Sequence, residues 1–233
     1  MREKIGIIGL GDLGKRLAMQ LVGSGLDVVA FDKRPIEVTE LELAIDPNLI
    51  VEQADKDNVE IVGTAGEVLE QSSIVHWAVQ SLLLHELPNE LPEDTLVILH
   101  DSVMNNSEVA VSDRGDTSKF CIVHCLVNSS LRVFIAGDHQ RAMGHFRAIG
   151  LKPKTTTARE HDRLIAHSQG LLATLIDMGV RSELEKAFAD GDLTPSGEEL
   201  HALLKHRELN WTASTLSSIL ANPALRDLKR TIR

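Results

Sequence analysis

The sequence predicts an α/β protein, with a doubly wound sheet at the N-terminus and an all-helical C-terminal part. Three observations carry this. The chain opens on a short apolar run, Ile5 to Leu10, that ends among glycines and leads into an amphipathic segment. Apolar runs of strand length then alternate with helical spacing as far as Thr157. From Ala158 onward strand patterning stops and only helical spacing is left. The expected division is therefore 1–157 and 158–233.

The opening stretch reads Lys4-Ile5-Gly6-Ile7-Ile8-Gly9-Leu10-Gly11-Asp12-Leu13-Gly14. A buried strand is followed by Gly9-x-Gly11-x-x-Gly14 and by a helix whose apolar face is Leu13, Leu17, Ala18, Leu21 and Val22. Strand, glycine turn and helix in this order form the dinucleotide-binding fingerprint of a Rossmann-type fold. Gly9 permits the tight turn, Gly11 lets backbone approach a pyrophosphate, and Gly14 lets helix and strand lie close. The helix start, including Asp12 and Leu13, offers N–H groups and a positive dipole end to phosphates. A second strand, Asp27 to Phe31, ends at Asp32, about 20 residues on, where a carboxylate accepts hydrogen bonds from an adenosine ribose. Asp32 would repel a 2′-phosphate, which favours NAD. Arg34 could pair with such a phosphate or stack on the adenine, which keeps NADP as the alternative, and Lys33 with Arg34 could also simply line a solvated loop.

The next residues, 36–72, are acidic and read as a helix, short strands near Leu49–Val51 and Val59–Val62, and a helix from Ala65 to Gln71. Ser73 to Val79 is a buried strand. Ligands of a doubly wound sheet sit outside the carboxyl ends of its strands, which puts Ala78 and Val79 beside the cofactor. His76 within this run reads as a packed strand residue. The strand Thr95 to Leu99 ends in His100-Asp101-Ser102-Val103, again at that edge. The strand Phe120 to Val127 carries His124, a turn follows at Asn128-Ser129-Ser130, and Leu131 to Ala136 is another strand. Gly137 and Asp138 are expected to cap a helix to Ile149, and Lys152 to Thr157 closes the sheet as an edge strand.

In the C-terminal part a first helix is expected from Arg159 to about Ala189, apolar on most of its faces through Leu164, Ile165, Leu171, Leu172, Leu175, Ile176 and Met178. Such a helix must be buried on most faces. The 158–233 segment is small for a self-contained core, so a homodimer through the C-terminal helices is the expectation. Further helices read at 197–209, 211–220 and 223–229.

Composition narrows the class. The chain has 233 residues, 43% hydrophobic and 25% charged, and a net charge of −10. That charge argues against nucleic acid and anionic membranes as partners. No apolar run reaches the roughly 20 residues of a membrane span, and the first residues enter a strand with no leader pattern. Cys121 and Cys125 flank His124 in an apolar run. They read as buried strand thiols, with no metal site, and the expected compartment is the cytoplasm.

With these elements in place the chain resembles the prephenate/arogenate dehydrogenase family. Glu160-His161-Asp162-Arg163-x-x-Ala166-x-Ser168 resembles the family's helix signature, His124 stands where the family has its catalytic histidine, and Asp101-Ser102-Val103 resembles its Asp…Ser-Val-Lys strand end. With the glycine fingerprint, the similarity spans about residues 4 to 180. The resemblance implies an NAD(P)-dependent oxidative decarboxylation of prephenate, arogenate or a related cyclic hydroxy acid, in tyrosine biosynthesis. It assigns His124 as the base that takes the hydroxyl proton, Ser102 as its positioning partner, and His161, Arg163, Ser168 and Gln169 to the substrate side. A histidine suits the base because its pKa lies near working pH.

Several positions depart from the family pattern. Its Ser-His-Leu-Pro-His is Ser168-Gln169-Gly170-Leu171-Leu172 here, its proline after the catalytic histidine is Cys125, and Gln80 and Met104 replace a proline and a lysine. A substrate-carboxylate arginine could be Arg132, Arg163, Arg181 or Arg207. These departures all fall on the substrate side. They keep two alternatives open: a catalytically eroded dinucleotide-binding dimer with a sensor or partner role, and a related hydroxyacid or imine reductase.

Overall fold

A computed structural model of the chain describes residues 4–35, 58–79, 81–126, 132–190, 194–210 and 213–231. The strand expected near Leu49–Val51, Gln80 and the turn at 128–130 lie outside the described residues. By its internal contacts the chain divides into two compact units, Met1–Thr157 and Ala158–Arg233.

The first unit is an eight-stranded sheet flanked by helices. Its strands are β1 (Lys4–Ile8), β2 (Asp27–Phe31), β3 (Val59–Ile61), β4 (Ser72–Trp77), β5 (Leu96–His100), β6 (Phe120–Leu126), β7 (Arg132–Ala136) and β8 (Lys152–Thr156), in the order β3-β2-β1-β4-β5-β6-β7-β8. β3 through β6 run parallel, and the strand order reverses between β1 and β4. This is the doubly wound arrangement, and its switch point lies beside the glycine turn. β7 runs antiparallel to β6. The link of residues 127–131 is too short for a parallel crossover, which needs a dozen or more residues. β8 returns parallel to β7 through a helix, Gln140–Ala148.

One face of the sheet packs against that helix and against α1 (Asp12–Gly23). Ile5, Ile7, Val28, Ile74, Ile98, Cys121, Val123 and Ile135 meet Leu17, Leu21, Ala142 and Phe146 there, all of them buried. The period-2 strand pattern supplies one side of this core, and the 3.6 spacing of α1 the other. On the opposite face α2 (Ala65–Gln71) lies against β1. A Cβ built on Gly6 would stand 2.6 Å from Val68 Cγ1, so the glycine within β1 sets that approach. α3 (Met104–Ser112) follows β5, and the helix Gln140–Ala148 is α4. α4 starts at a His139 N-cap whose side chain makes no capping bond. Asp138 instead accepts from the Gln140 amide at 2.6 Å, so the expected Asp138 cap is corrected.

The same core face holds three histidines. His76 Nδ1 lies 2.8 Å from His100 Nε2, and His76 Nε2 lies 2.9 Å from His145 Nε2. His76, on β4, is fully buried, as its place in an apolar strand predicts. Burial, together with the nearby His145 and His100, pushes its pKa well below the ordinary value. Burial, and then His145, pushes His100 down to about 3. Burial, and then Arg141, pushes His145 down to about 4. Cys121 is a buried free thiol in this core and Cys125 a partly buried one. Burial raises both, Cys121 to about 12.

The second unit is helical: α5 (Ala158–Ile165), a π-helical turn (Ala166–Gly170), α6 (Leu171–Asp177), α7 (Val180–Asp190), α8 (Pro195–Asn210), α9 (Ala213–Leu220) and α10 (Pro223–Thr231). The single helix expected from Arg159 to about Ala189 is therefore corrected. Gly179, at φ 72, takes a left-handed conformation that ends α6 before α7 begins. At Gly170 an added Cβ would meet Leu225 Cδ1 at 2.9 Å, so α10 packs onto the π turn. Asn222, fully buried, donates to the Asp162 carbonyl at 2.9 Å and caps α10 through Ala224 N–H. The Thr194 hydroxyl caps α8 by accepting from Gly197 N–H at 3.3 Å. Among the described residues, no helix is long and apolar enough to cross a membrane.

The histidine cluster makes stability depend on pH with a defined sign. In the folded chain the three imidazoles stay neutral until about pH 4 and below. In the unfolded chain they take up protons below about pH 6.5. Stability is complete above that value and falls as pH drops toward 4, with a limiting slope of roughly 4 kcal/mol per pH unit for three protons. Denaturant unfolding at pH 7 and pH 5 is expected to show a loss of several kcal/mol, and a loss under about 1 kcal/mol would contradict the neutral cluster.

Candidate functional site

The glycine turn sits at the carboxyl end of β1, between the ends of β2 and β4. Gly9 has φ 97, its N–H donates to Phe31 O at 2.8 Å, and Ala78 N–H donates to Ile8 O at 2.8 Å. Three strand ends are thus tied in a row. At Gly14 an added Cβ would lie 1.8 Å from Gly9 O, so α1 presses directly on the turn. At Gly9 it would lie 2.5 Å from Val79 Cγ1, which puts Ala78 and Val79 against the turn as expected. At Gly11 nothing stands within 4 Å. Gly11 is also the N-cap of α1 and supplies no side-chain cap, so donors of the first turn, around Leu13 and Gly14, face open space. Those residues fit a diphosphate on both counts, room and donors.

Asp32 binds the turn itself. Its Oδ2 accepts Leu10 N–H at 2.7 Å, and its Oδ1 accepts Arg34 N–H at 2.8 Å and Arg34 Nε–H at 3.3 Å. Burial pushes its pKa up, but the hydrogen bonds from Arg34 and Leu10 outweigh this and hold the carboxyl below its usual value. A carboxylate oxygen accepts more than one bond, so Oδ2 keeps acceptor capacity for a ribose hydroxyl. Lys33, expected among the cofactor-binding residues, pairs with Glu86 at 2.6 Å. Asp12 is exposed and pairs loosely with Arg16 at 3.7 Å.

The candidate catalytic groups lie along the same edge. Asp101 N–H donates to Val123 O at 2.9 Å, so Ser102 and His124 occupy adjoining positions at the ends of β5 and β6. His124 is half-buried and in register with Phe134. From β1 to β6 is three strand spacings, roughly 14 Å. Asp101, expected at the cofactor, has both oxygens at the start of α3, accepting Val103 N–H at 3.0 Å and the Ser107 hydroxyl at 2.9 Å. Met104, at the family's lysine position, is fully buried.

In the helical unit His161 is 1% exposed and its Nδ1 lies 3.0 Å from Asp162 Oδ1. Arg163 and Ser168 are exposed, Gln169 is half-buried, and the Ser168 hydroxyl donates to Leu164 O at 2.8 Å. Among the described residues, no group of three or more His, Cys, Asp or Glu is placed to hold a metal. Two cavities share Asn89 and Arg114: one of about 380 Å³ lies between residues 89–91 and 114–120, and one of about 520 Å³ lies between residues 84–89 and α3. Neither is lined by the glycine turn, Asp32 or His124. The residues that sequence reading passed over are Gly6 and Glu86. Gly6 was detectable as a glycine inside a strand, whereas a pair 53 residues apart leaves no local signal.

Residues 4–106 match the protein family described as NADP oxidoreductase, coenzyme F420-dependent. That match and the geometry of the turn define the class: a Rossmann-type NAD(P)-dependent oxidoreductase. No curated protein matches the chain by sequence. Among solved structures, the chain is similar to a Corynebacterium glutamicum protein described as a "putative prephenate dehydrogenase", with TM-score 0.75, 13% identity, and coverage of 99% of this chain and 78% of that one. It is also similar to an imine reductase from Bacillus cereus (TM-score 0.59, 15% identity, 90% and 73% covered) and to (S)-3-hydroxybutyryl-CoA dehydrogenase from Ralstonia eutropha (TM-score 0.57, 14% identity, 99% and 94% covered). At these identities the likeness is one of fold.

Two glycine substitutions separate folding from binding. Gly14→Ala drives a methyl into the Gly9 carbonyl and is expected to destabilise by about 3 kcal/mol or more, seen in the unfolding midpoint. Gly11→Ala meets open space and is expected to stay within about 1 kcal/mol of the parent, while weakening NADH binding at least about tenfold in a fluorescence titration.

Proposed function

We propose that the chain is an NAD-dependent dehydrogenase of the prephenate dehydrogenase type, acting on prephenate, arogenate or a related cyclic hydroxy acid. The observation that carries this is the glycine turn with an unobstructed Gly11 beside an ionised Asp32, in a fold that aligns over 99% of its length with the Corynebacterium glutamicum protein. When bound, the nicotinamide ring supplies the hydride acceptor. The first turn of α1 would hold the diphosphate and Asp32 the adenosine ribose. His124 would take the proton from the substrate hydroxyl, and Ser102, on the neighbouring strand end, would keep that hydroxyl in line. His161, Arg163, Ser168 and Gln169 are the residues that the resemblance assigns to the substrate; Arg163 and Ser168 are exposed, Gln169 is half-buried and His161 is buried.

A homodimer through the C-terminal helices accompanies this reading. Leu164 on α5 is 50% exposed, Leu171 on α6 40%, Met178 at the end of α6 70% and Leu203 on α8 40%, apolar side chains that a second copy could cover. A second reading is favoured by Met104 and Gln169 at positions where the family carries charge or imidazole: a dinucleotide-binding dimer that senses rather than turns over.

The test is NADH binding by calorimetry, followed by the absorbance of reduced nicotinamide with NAD plus prephenate or arogenate. Turnover is expected, and His124→Asn is expected to lower kcat by about 10² to 10⁴ while leaving NADH affinity within about threefold. Binding without turnover on either substrate would select the sensor reading. The absence of any nucleotide binding would overturn both.

A further inference from the structure

The ion pair between Lys33 and Glu86 has an unusual position. Lys33 follows β2, Glu86 ends a 3₁₀ segment (Ser81–Glu86) that follows β4, and β1 with its glycine turn lies between those strands in the sheet. The side chains therefore meet across the carboxyl end of β1, from anchors about 10 Å apart in the sheet. Glu86 is not on a loose loop. Leu84 and Leu87 on either side are 2% and 3% exposed, and Arg114 donates to the carbonyls of Leu84 at 2.7 Å, Leu87 at 3.4 Å and Pro88. The carboxylate is thus delivered to this place by a pinned segment.

As a contribution to stability the pair counts for little. Its side chains are 67% and 30% exposed, and such pairs give about 0–1 kcal/mol. Its effect lies in local charge. The corner where an adenosine ribose would sit on Asp32 contains two cations, Lys33 and Arg34, and each is held by a carboxylate: Arg34 by Asp32 at 3.3 Å, Lys33 by Glu86 at 2.6 Å. The four charges cancel. A ribose hydroxyl needs an acceptor and finds Asp32. A 2′-phosphate needs an uncompensated cation, and of the two cations at this corner, Lys33 and Arg34, each is already held by a carboxylate.

We propose that Glu86 is a specificity-determining residue for the dinucleotide, selecting NAD over NADP by holding the Lys33 ammonium away from the 2′ position. This rests on the dinucleotide-binding reading of the site. Glu86→Gln leaves the corner with a net positive charge and a lysine free to reach a phosphate, while Asp32 still serves a ribose.

The experiment is a calorimetric titration of the full chain with NADH and with NADPH, for the parent, Glu86→Gln, Lys33→Met and the double variant, at low and at physiological salt. The expected result is a parent that favours NADH, and a Glu86→Gln variant whose NADPH affinity rises at least about fivefold relative to NADH, more at low salt. The gain is expected to disappear in the double variant, which ties it to the lysine rather than to altered folding of the segment. An unchanged NADPH-to-NADH ratio in Glu86→Gln, a gain that persists without Lys33, or a parent that already favours NADPH would overturn the proposal. A parent that binds neither nucleotide would instead overturn the functional reading on which it rests.

Discussion

The architecture of the first unit depends on one close approach. Gly14 of α1 lies so near the Gly9 carbonyl that no side chain fits between them. The start of a twelve-residue helix is thereby fixed at the end of β1. Asp32 then fastens β2 to the same turn through Leu10 N–H, and Ala78 fastens β4 through the Ile8 carbonyl. Three parallel strands, each with its own crossover, are brought to a common edge by contacts that involve mostly backbone. The carboxylate stays ionised although partly buried, because three protein donors oppose the effect of burial. The negative charge at this corner is therefore part of how the turn is built as well as a feature a ligand would meet.

Behind the edge, β4 and β5 carry a polar chain through the core. Each neutral imidazole has one donor and one acceptor, so the linkage His145–His76–His100 can be hydrogen-bonded in either direction. In both arrangements the far nitrogen, His100 Nδ1, is buried without a hydrogen-bond partner. Such a chain is tolerable in an apolar core only while uncharged. The two strands whose ends bear Ala78 and Ser102 are thus held by a network that requires near-neutral conditions, which couples the integrity of the candidate site to pH through the core rather than through the site's own groups.

What could be read from the sequence was what depends on local period. The apolar runs marked most strands from β1 to β7, and Ala65–Gln71 and the start of α1 followed from spacing and glycines. Features set by distant partners were not readable. The antiparallel turn of β7 follows from a short link, but no strand pattern announces its direction. The break at Gly179 looked like continuous helix because apolar residues run past it. His76 was read as packed, yet its two imidazole partners come from positions 24 and 69 residues away. Asp101 is expected at the cofactor because it stands at a strand end, and what the sequence did not announce is that the same position anchors the start of α3.

That a dinucleotide turn is legible in the sequence while candidate substrate groups are not has a physical origin. A diphosphate is recognised by backbone amides, and backbone can approach it only where particular residues lack side chains. That requirement writes glycines at fixed spacing into the sequence. A small hydroxy acid is recognised by a few side-chain tips, which many positions on several helices can supply equally well. A side chain such as Met104 or Gln169 can differ from the pattern that the sequence resembles without disturbing any fold-determining period, so the helix spacing around His161 reads clearly while a substrate group does not. His161 itself shows why. With 1% exposure and a carboxylate at 3.0 Å, it is held by packing within the helical unit, and packing alone is enough to give a residue a recognisable place in a helical pattern.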